Sequence, residues 1–459
     1  MKKQIAFLLF SFIVSYLSAQ EASFFKDEDR VCFVGNSITH SGEFHHNISL
    51  FQVTRFPNQQ VSFFNCGVAG DVTQGILNRM DDDILIHKPT QVVIMIGMND
   101  VQRGLYASKP SFNADTLRLR QEAIAKYKVN LEKIVQVFLL KNIKVILQKP
   151  SIYDQTATIA AANNLGVNDA LKACADFIKI LAQQYKLPTV DYWTLMNNLN
   201  LDIQKQKPKA TIIGNDRVHP GSVGHLIMAY QFLKSTGMPV FVSYIDIEKD
   251  SNTSNKLSKN CEISSLKNDS KNWSFSVKEN ALPFPMVAAQ MDALKLIPFN
   301  TALNQEILKL PMLQSGKYNL MIDGQLIGQF PDSVLQKGIN LAEFPATAQY
   351  KQALKVRDIL SELWSYEARL RSIKFIEYNQ FYKDCPYKAD VSKSYQYMDS
   401  VLKAKKVPSL PYYKAQLLNF WENKPIEKQC RNAVDSLRTC AYQAAKPVTH
   451  QFSVDLQQR

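Results

Sequence analysis

Cysteine is scarce in this chain and follows no pattern. Seven residues in 459 (Cys32, Cys66, Cys174, Cys261, Cys385, Cys430 and Cys440) make an odd set with no Cys-x-x-Cys and no Cys/His ligand spacing. That excludes a dense disulfide framework and a zinc site. Cys32 and Cys66 lie inside apolar, strand-like runs and are expected as buried thiols, while Cys430 and Cys440 on one helix would stand about 15 Å apart, beyond disulfide reach. With Gly 16 and Pro 19, the chain is neither collagen-like nor low-complexity. No internal repeat suggests a solenoid or propeller. Nucleic-acid motifs are also missing, so the net charge of +13 is not read as DNA or RNA binding. Much of the excess is local: residues 351–459 hold 19 basic and 11 acidic side chains. A solvated helix face or an acidic polysaccharide partner would each account for it.

What is present is the composition of a packed globular protein, 46% hydrophobic and 21% charged, long enough for about three domains. Lys2 and Lys3 precede an apolar stretch from Ile5 to Val14, and Leu17-Ser18-Ala19 supplies small residues before a cut. The pattern predicts a cleaved signal peptide over residues 1–19, and hence export to the periplasm or the extracellular space. The stretch is shorter than the roughly 20 apolar residues a membrane-crossing helix needs. No later segment meets that requirement, so no membrane span is expected.

From residue 31 to about 236, short apolar runs alternate with helical patterns. Residues 31–34, 61–64, 92–96, 143–147 and 188–192 are strand candidates, several almost continuously apolar, as strands buried on both faces of a parallel sheet are. Leu117 to Leu140 and Val167 to Tyr185 carry apolar residues at three and four spacing between them. The alternation predicts an α/β layer structure over residues 20–240. After Gly237-Met238-Pro239 the pattern changes, and residues 249–272 read as a polar loop or linker. Residues 241–346 are expected to be β-rich, with Asp323-Gly324 as a hairpin turn. Residues 347–459 are basic, aromatic and helix-forming, and are expected to be helical.

Four clusters in the α/β segment carry chemistry. Gly35-Asn36-Ser37-Ile38-Thr39 follows the first strand, where a Ser at a strand's C-terminal end can present its hydroxyl to a cleft. Asn65-Cys66-Gly67-Val68-Ala69-Gly70-Asp71 follows the second and Gly97-Met98-Asn99-Asp100 the third. Ordinary turn chemistry would explain each alone; together, backbone N–H groups and a carboxamide could converge on an oxyanion. In Asp216-Arg217-Val218-His219-Pro220, the acid three residues before the His can reach its Nδ1 and leave Nε2 free. His225 is expected to be structural.

In this order the clusters resemble the conserved blocks of the SGNH hydrolases, the GDSL esterase/lipase superfamily, over residues 30 to 236. The resemblance implies a three-layer αβα, flavodoxin-like domain with a parallel sheet. It also implies a nucleophile at Ser37, a triad completed by Asp216 and His219, and oxyanion donors at Ser37, Gly70 and Asn99, with Gly67 as a competing candidate for Gly70. One departure is visible: the family's Gly-Asp-Ser is Gly-Asn-Ser here, which puts local loop support in question. No metal and no organic cofactor is called for.

The function expected is a secreted serine esterase, a carboxylic ester hydrolase that deacetylates or deacylates a carbohydrate or polysaccharide. An acylated glycan or other small ester is the expected partner. Aromatic residues of the C-terminal region, from Trp364 and Tyr366 to Tyr413 and Trp421, could stack on sugars, although aromatics at helical spacing more often form core. Two alternatives stand beside it: a lipid acyl hydrolase of the lysophospholipase or lipase kind, and a catalytically silent glycan-binding protein.

Overall fold

The computed structural model describes residues 23–108, 113–269, 271–404 and 410–457; the expected signal peptide lies outside them. Among the described residues the first half alternates strands β1 (Arg30–Gly35), β2 (Ser62–Gly67), β3 (Gln91–Met95), β4 (Lys144–Lys149) and β5 (Thr189–Asp191) with seven α-helices. These are α1 (Ser37–Ser41), α2 (Glu43–Arg55), α3 (Thr73–Asn78), α4 (Ala114–Leu140), α5 (Val167–Tyr185), α6 (Tyr192–Gln206) and α7 (Ser222–Ser235). All five strands are parallel, in the order β2-β1-β3-β4-β5.

Alternation along a strand sends neighbouring side chains to opposite faces, and on β1 both faces are apolar. Val31 and Phe33 join Phe44, Ile48 and Phe232 under α2 and α7. Cys32 and Val34 join Tyr127, Leu131, Ile134 and Ile178 under α4 and α5. The result is a parallel sheet buried on both faces, as the continuous apolar runs predict, in the three-layer αβα sandwich that the resemblance implies, with Cys32 and Cys66 buried as expected.

The second half contains β6 (Phe241–Asp246), α8 (Ser251–Leu257), β7 (Cys261–Asn268), β8 (Asn272–Glu279), α9 (Phe299–Leu303), β9 (Gln305–Lys309), β10 (Lys317–Ile322) and β11 (Gln325–Pro331). It continues through α10 (Asp332–Lys337), β12 (Ile339–Asn340), α11 (Ala348–Glu377), α12 (Gln380–Lys383), α13 (Val391–Ala404), α14 (Leu410–Asn423), α15 (Glu427–Ala444) and β13 (Thr449–Leu456). The strands form a five-stranded antiparallel sheet, β11-β10-β13-β8-β7, and a small sheet, β12-β9-β6. At the β10–β11 hairpin, Ile322 pairs with Gln325, and both Asp323 (φ 51°) and Gly324 (φ 77°) are left-handed, as a primed turn requires.

Two segments depart from expectation. The polar stretch 249–272 is not a linker: Asp250 caps α8 by accepting the Thr253 N–H at 2.9 Å, and β7 is an edge strand whose outward polar side chains hide its pairing. Residues 347–459 are not helical to their end either. β13 inserts between β10 and β8, turning His450, Phe452 and Val454 inward. Its two-residue alternation is short and follows a long helical pattern, so local periodicity alone does not reveal that it is the central strand. No helix among the described residues is long and apolar enough to cross a membrane.

The C-terminal helices close the open edge of the parallel sheet. Because the Ser62 N–H bonds Asp29 O inside the sheet, Val61, Phe63 and Asn65 turn their backbone groups to the outer side. The Tyr442 hydroxyl of α15 accepts the Val61 N–H at 2.9 Å and lies 3.2 Å from its carbonyl, and Arg371 of α11 donates to Asn65 O at 2.5 Å. Side chains thereby occupy the positions where a sixth strand would pair.

The packing around α2 also buries imidazoles. His45 stacks on Phe33 with ring centroids 4.7 Å apart, and His46 stacks on Trp364 of α11 at 4.5 Å. Burial lowers His45, His46 and His225 to about 3 and His40 to about 4. In the unfolded chain these groups protonate near the usual histidine value, so between about pH 6.5 and the depressed values the unfolded state binds more protons. The contribution is complete above pH 6.5 and is lost as pH falls toward 4 and 3, at about 2 kcal/mol for each fully buried histidine by pH 5. Urea unfolding at pH 7 and pH 5 should show a lower midpoint at pH 5, and His45→Gln should flatten the dependence.

Candidate active site

The first cluster lies where β1 leaves the sheet. A Cβ on Gly35 would sit 2.3 Å from Thr39 Oγ1 and 2.4 Å from Met95 O, so only glycine lets α1 start this close to β3. Asn36 is 2% exposed; its Oδ1 accepts the Ile38 N–H at 3.2 Å and its carbonyl accepts the His40 N–H at 2.8 Å. The carboxamide caps α1 as a carboxylate would, so the Gly-Asn-Ser departure leaves the loop supported. Ser37 is the first residue of α1, and among the described residues its backbone N–H has no acceptor.

The fourth cluster sits on a closed loop before α7. The Gly214 N–H reaches His219 O at 2.7 Å, and the Arg217 N–H reaches Gly214 O at 2.9 Å. Arg217 adopts φ 67°, and its guanidinium, 3% exposed, donates to the carbonyls of Asp154, Ala157, Ile159 and Ala161. Four carbonyl acceptors hold the loop against the segment that follows β4.

On that loop the His219 Nε2 lies 2.7 Å from Ser37 Oγ, and Nδ1 lies 2.5 Å from Asp216 Oδ2. Asp216 Oδ1 accepts the backbone N–H groups of Val218 and His219, each at 3.0 Å. Burial opposes the Asp216 charge, but the His219 ring and these two N–H groups win and hold the carboxyl below the usual carboxylate range. A carboxylate can only accept, so Nδ1 carries a proton and Nε2 is left to accept from the serine hydroxyl. The side chains of His219 and Asp216 are 46% and 53% exposed, so the pair lies on an open surface. His225 instead is buried, parallel to Phe44 at 6.3 Å.

The two remaining clusters touch each other, and the Val68 N–H ties the second to Gly35 O of the first at 3.0 Å. Gly70 is exposed in the left-handed region at φ 81°, a Cβ there would meet nothing within 4 Å, and its N–H has no acceptor among the described residues. Asn99 Nδ2 donates to Asp71 O at 3.0 Å, which places the carboxamide against the Gly70-Asp71 turn. Gly67, the competing candidate, is buried in β2 and its N–H is taken by Asn65 Oδ1 at 2.9 Å. Asp100 Oδ1 accepts both the N–H and the hydroxyl of Thr73, at 2.8 and 2.7 Å, and burial raises this carboxyl to about 6.

Sequence reasoning passed over several supporting residues. Arg103 Nη1 donates to Asn99 Oδ1 at 2.8 Å and to Met98 O at 2.9 Å. With its oxygen engaged, the Asn99 carboxamide cannot flip, and its NH2 group keeps one hydrogen beyond the Asp71 bond. Its position four residues after Asn99 is the signal that could have found it.

The second group is a chain of buried charges. Asp71 Oδ2 pairs with Arg79 Nε at 2.8 Å, Arg79 Nη1 with Asp83 Oδ2 at 2.6 Å, and Asp83 Oδ1 with Arg371 Nη2 at 2.7 Å. Arg79 also donates to Gly35 O at 3.3 Å, two residues before Ser37. Burial opposes the charge of Asp83, but Arg371 and Arg79 prevail and hold it near 2, whereas burial raises Asp71 against the one guanidinium it touches. No local signal could reveal this chain, because its last link joins residues 288 positions apart. Among the described residues no group of three His, Cys, Asp or Glu side chains could hold a metal ion.

Comparison with known proteins agrees with this architecture. The GDSL-like Lipase/Acylhydrolase family matches residues 33–227. An acetylxylan esterase of Geobacillus stearothermophilus is 24% identical over 231 residues, spanning 46% of this chain and 94% of that protein. A solved gut microbial diltiazem-metabolizing enzyme is 30% identical and superimposes with a TM-score of 0.84, covering 94% of this chain and 98% of its own, so the similarity extends through the C-terminal half. The chain belongs to the SGNH hydrolase superfamily and is a carboxylic ester hydrolase.

Proposed function

We propose that the protein is an exported serine esterase that removes acetyl or other small acyl groups from a carbohydrate, with Ser37, His219 and Asp216 as its triad. The observation that carries this reading is the unbroken line of hydrogen-bond distances from Ser37 Oγ through His219 to Asp216, at 2.7 and 2.5 Å. A neutral imidazole at Nε2 accepts the serine proton as Oγ attacks the ester carbonyl, and Asp216 keeps the ring in the required tautomer. The carbonyl oxygen gains the negative charge, and the Ser37 and Gly70 N–H groups and the Asn99 amide are the donors offered to it. When the tetrahedral intermediate collapses, the C–O bond to the alcohol breaks and His219 returns the proton to the leaving alkoxide. Water, deprotonated by the same imidazole, then releases the acid and restores Ser37.

Two observations favour a glycan over a lipid. The acetylxylan esterase relative acts on an acetylated polysaccharide by its name, and the open placement of His219 and Asp216 leaves room for a bulky alcohol beside the leaving-group oxygen. The diltiazem-metabolizing relative places diltiazem itself among the substrates to be tried. Export rests on the basic and apolar pattern of residues 1–19.

Acetate release from acetylated xylan, other acetylated polysaccharides and diltiazem, compared between wild type and Ser37→Ala, tests the assignment. Release by wild type alone is expected. A steep rise in rate on p-nitrophenyl esters from acetyl to palmitoyl would defeat the glycan reading in favour of a lipid acyl hydrolase. Lack of labelling of Ser37 by a fluorophosphonate would favour a silent binding protein. Asn99→Ala should fold and lose about 10²- to 10³-fold in turnover, the usual effect of deleting one oxyanion donor. Arg103→Ala should lose less, on the order of 10-fold, because the amide remains but is free to flip; turnover equal to wild type would show that Asn99 needs no such anchor.

A further inference from the structure

The C-terminal helices lie outside the part of the chain that matches the family, yet one of their side chains touches the machinery of the site. Arg371, on α11, is 3% exposed and makes two bonds at the edge of the parallel sheet: Nη1 to Asn65 O at 2.5 Å and Nη2 to Asp83 Oδ1 at 2.7 Å. Asp83 in turn holds Arg79, whose guanidinium is shared between Asp71, in the Gly70-Asp71 turn, and Gly35 O, in the nucleophile loop. Asn65 also fixes this region directly, since its Nδ2 donates to His40 O of α1 at 3.0 Å and its Oδ1 accepts the Gly67 N–H. Each link is buried, so each charge depends on the next for its compensation.

We infer that Arg371 is a positioning residue for the esterase reaction, through which α11 sets the separation between the nucleophile loop and the oxyanion turn. The inference rests on the proposed reading of Ser37, Gly70 and Asn99. Its physical basis is that Arg79 has two sets of acceptors, one on each loop. The direction in which its guanidinium is pulled decides how far apart they stand. With Arg371 in place, Asp83 is shared between two cations and holds Arg79 at one end. Without it, Asp83 is left with Arg79 alone, the guanidinium is drawn toward Asp83, and its bonds to Asp71 and Gly35 O lengthen. The oxyanion forms only as the ester is attacked, so such a displacement acts on turnover more than on substrate affinity.

The surroundings of Arg371 provide a direct test. A cavity of about 200 Å³ lies against it, lined also by Asn65, Asp83, Glu367, Lys374 and Arg431. Arg371 Nε is buried and bonds to none of the described residues, and the Arg431 side chain at the same cavity is 36% exposed. In Arg371→Ala a free guanidinium ion can therefore enter and take the place of the missing side chain.

The experiment measures kcat and KM on p-nitrophenyl acetate, thermal stability, and fluorophosphonate labelling of Ser37 for wild type and Arg371→Ala, with and without millimolar guanidinium. Sodium at equal ionic strength and urea serve as controls. Expected are folded Arg371→Ala with kcat down by about 10-fold or more, KM nearly unchanged, and recovery of kcat with guanidinium but with neither control. Wild-type kcat in the folded variant overturns the inference, as does a loss that guanidinium leaves untouched. If Arg371→Ala does not fold, the Asp83→Asn/Arg371→Met pair, which removes both charges together, carries the test. Reduced turnover in that pair supports the inference and wild-type turnover overturns it. Failure of the underlying assignment looks different: wild type itself would then go unlabelled at Ser37, and Ser37→Ala would keep its activity.

Discussion

Parallel pairing is the constraint on which the site depends. When five strands run the same way, every C-terminal end arrives at one edge of the sheet, and the loops that leave β1, β2 and β3 are neighbours whatever their separation in the chain. Ser37, Gly70 and Asn99 follow those three strands and share that edge for this reason. The loop carrying Asp216 and His219 reaches the same edge by a different device. Closed by its own hydrogen bonds and pinned through Arg217 to four carbonyls after β4, it sets the imidazole 2.7 Å from the serine hydroxyl.

The constraint leaves a liability, which the second half of the chain answers. An open parallel sheet ends on each side in a strand paired along one side only, and here β2, which leads into the Gly70 turn, is one of them. Tyr442 bonds the Val61 groups just before it and Arg371 bonds Asn65 O on its outer side, and α11 and α15 pack over it. Burying that edge also buries charge. The row Asp71, Arg79, Asp83 and Arg371 is stable only as a set, since removing one partner of a buried pair typically costs about 3–5 kcal/mol. The edge that protects the sheet and the support of the site are thus one structure. This gives a physical reason for the similarity to the diltiazem-metabolizing enzyme to extend over 94% of this chain.

The open setting of Asp216 and His219 has a physical origin. Asp216 keeps its charge through hydrogen bonds from His219 and Val218, without deep burial. Asp100, buried against Thr73, is instead raised to about 6. A carboxylate that owes its charge to local hydrogen bonds can remain at the surface.

Much of the hydrolase half was legible because its information is local. The apolar runs of β1, β3 and β4, the three and four spacing of α4 and α5, and the glycine-rich strand ends all lie within a few residues of one another, where periodicity and turn chemistry operate. The clusters around 37, 70, 99 and 216–219 suggested an acyl-transfer site only together, through their ordered resemblance to the SGNH blocks. Other features had no local signature. β13 could not be placed at the centre of its sheet, because pairing partners are chosen by burial across the fold. Arg371 could not be linked to Asp83, because a buried charge selects its partner by proximity in space. Sequence alone thus determined the layer order and the chemical types at the site; tertiary structure alone decided which distant charges meet and which helices guard the edge, since desolvation acts on position in the fold and not on order in the chain.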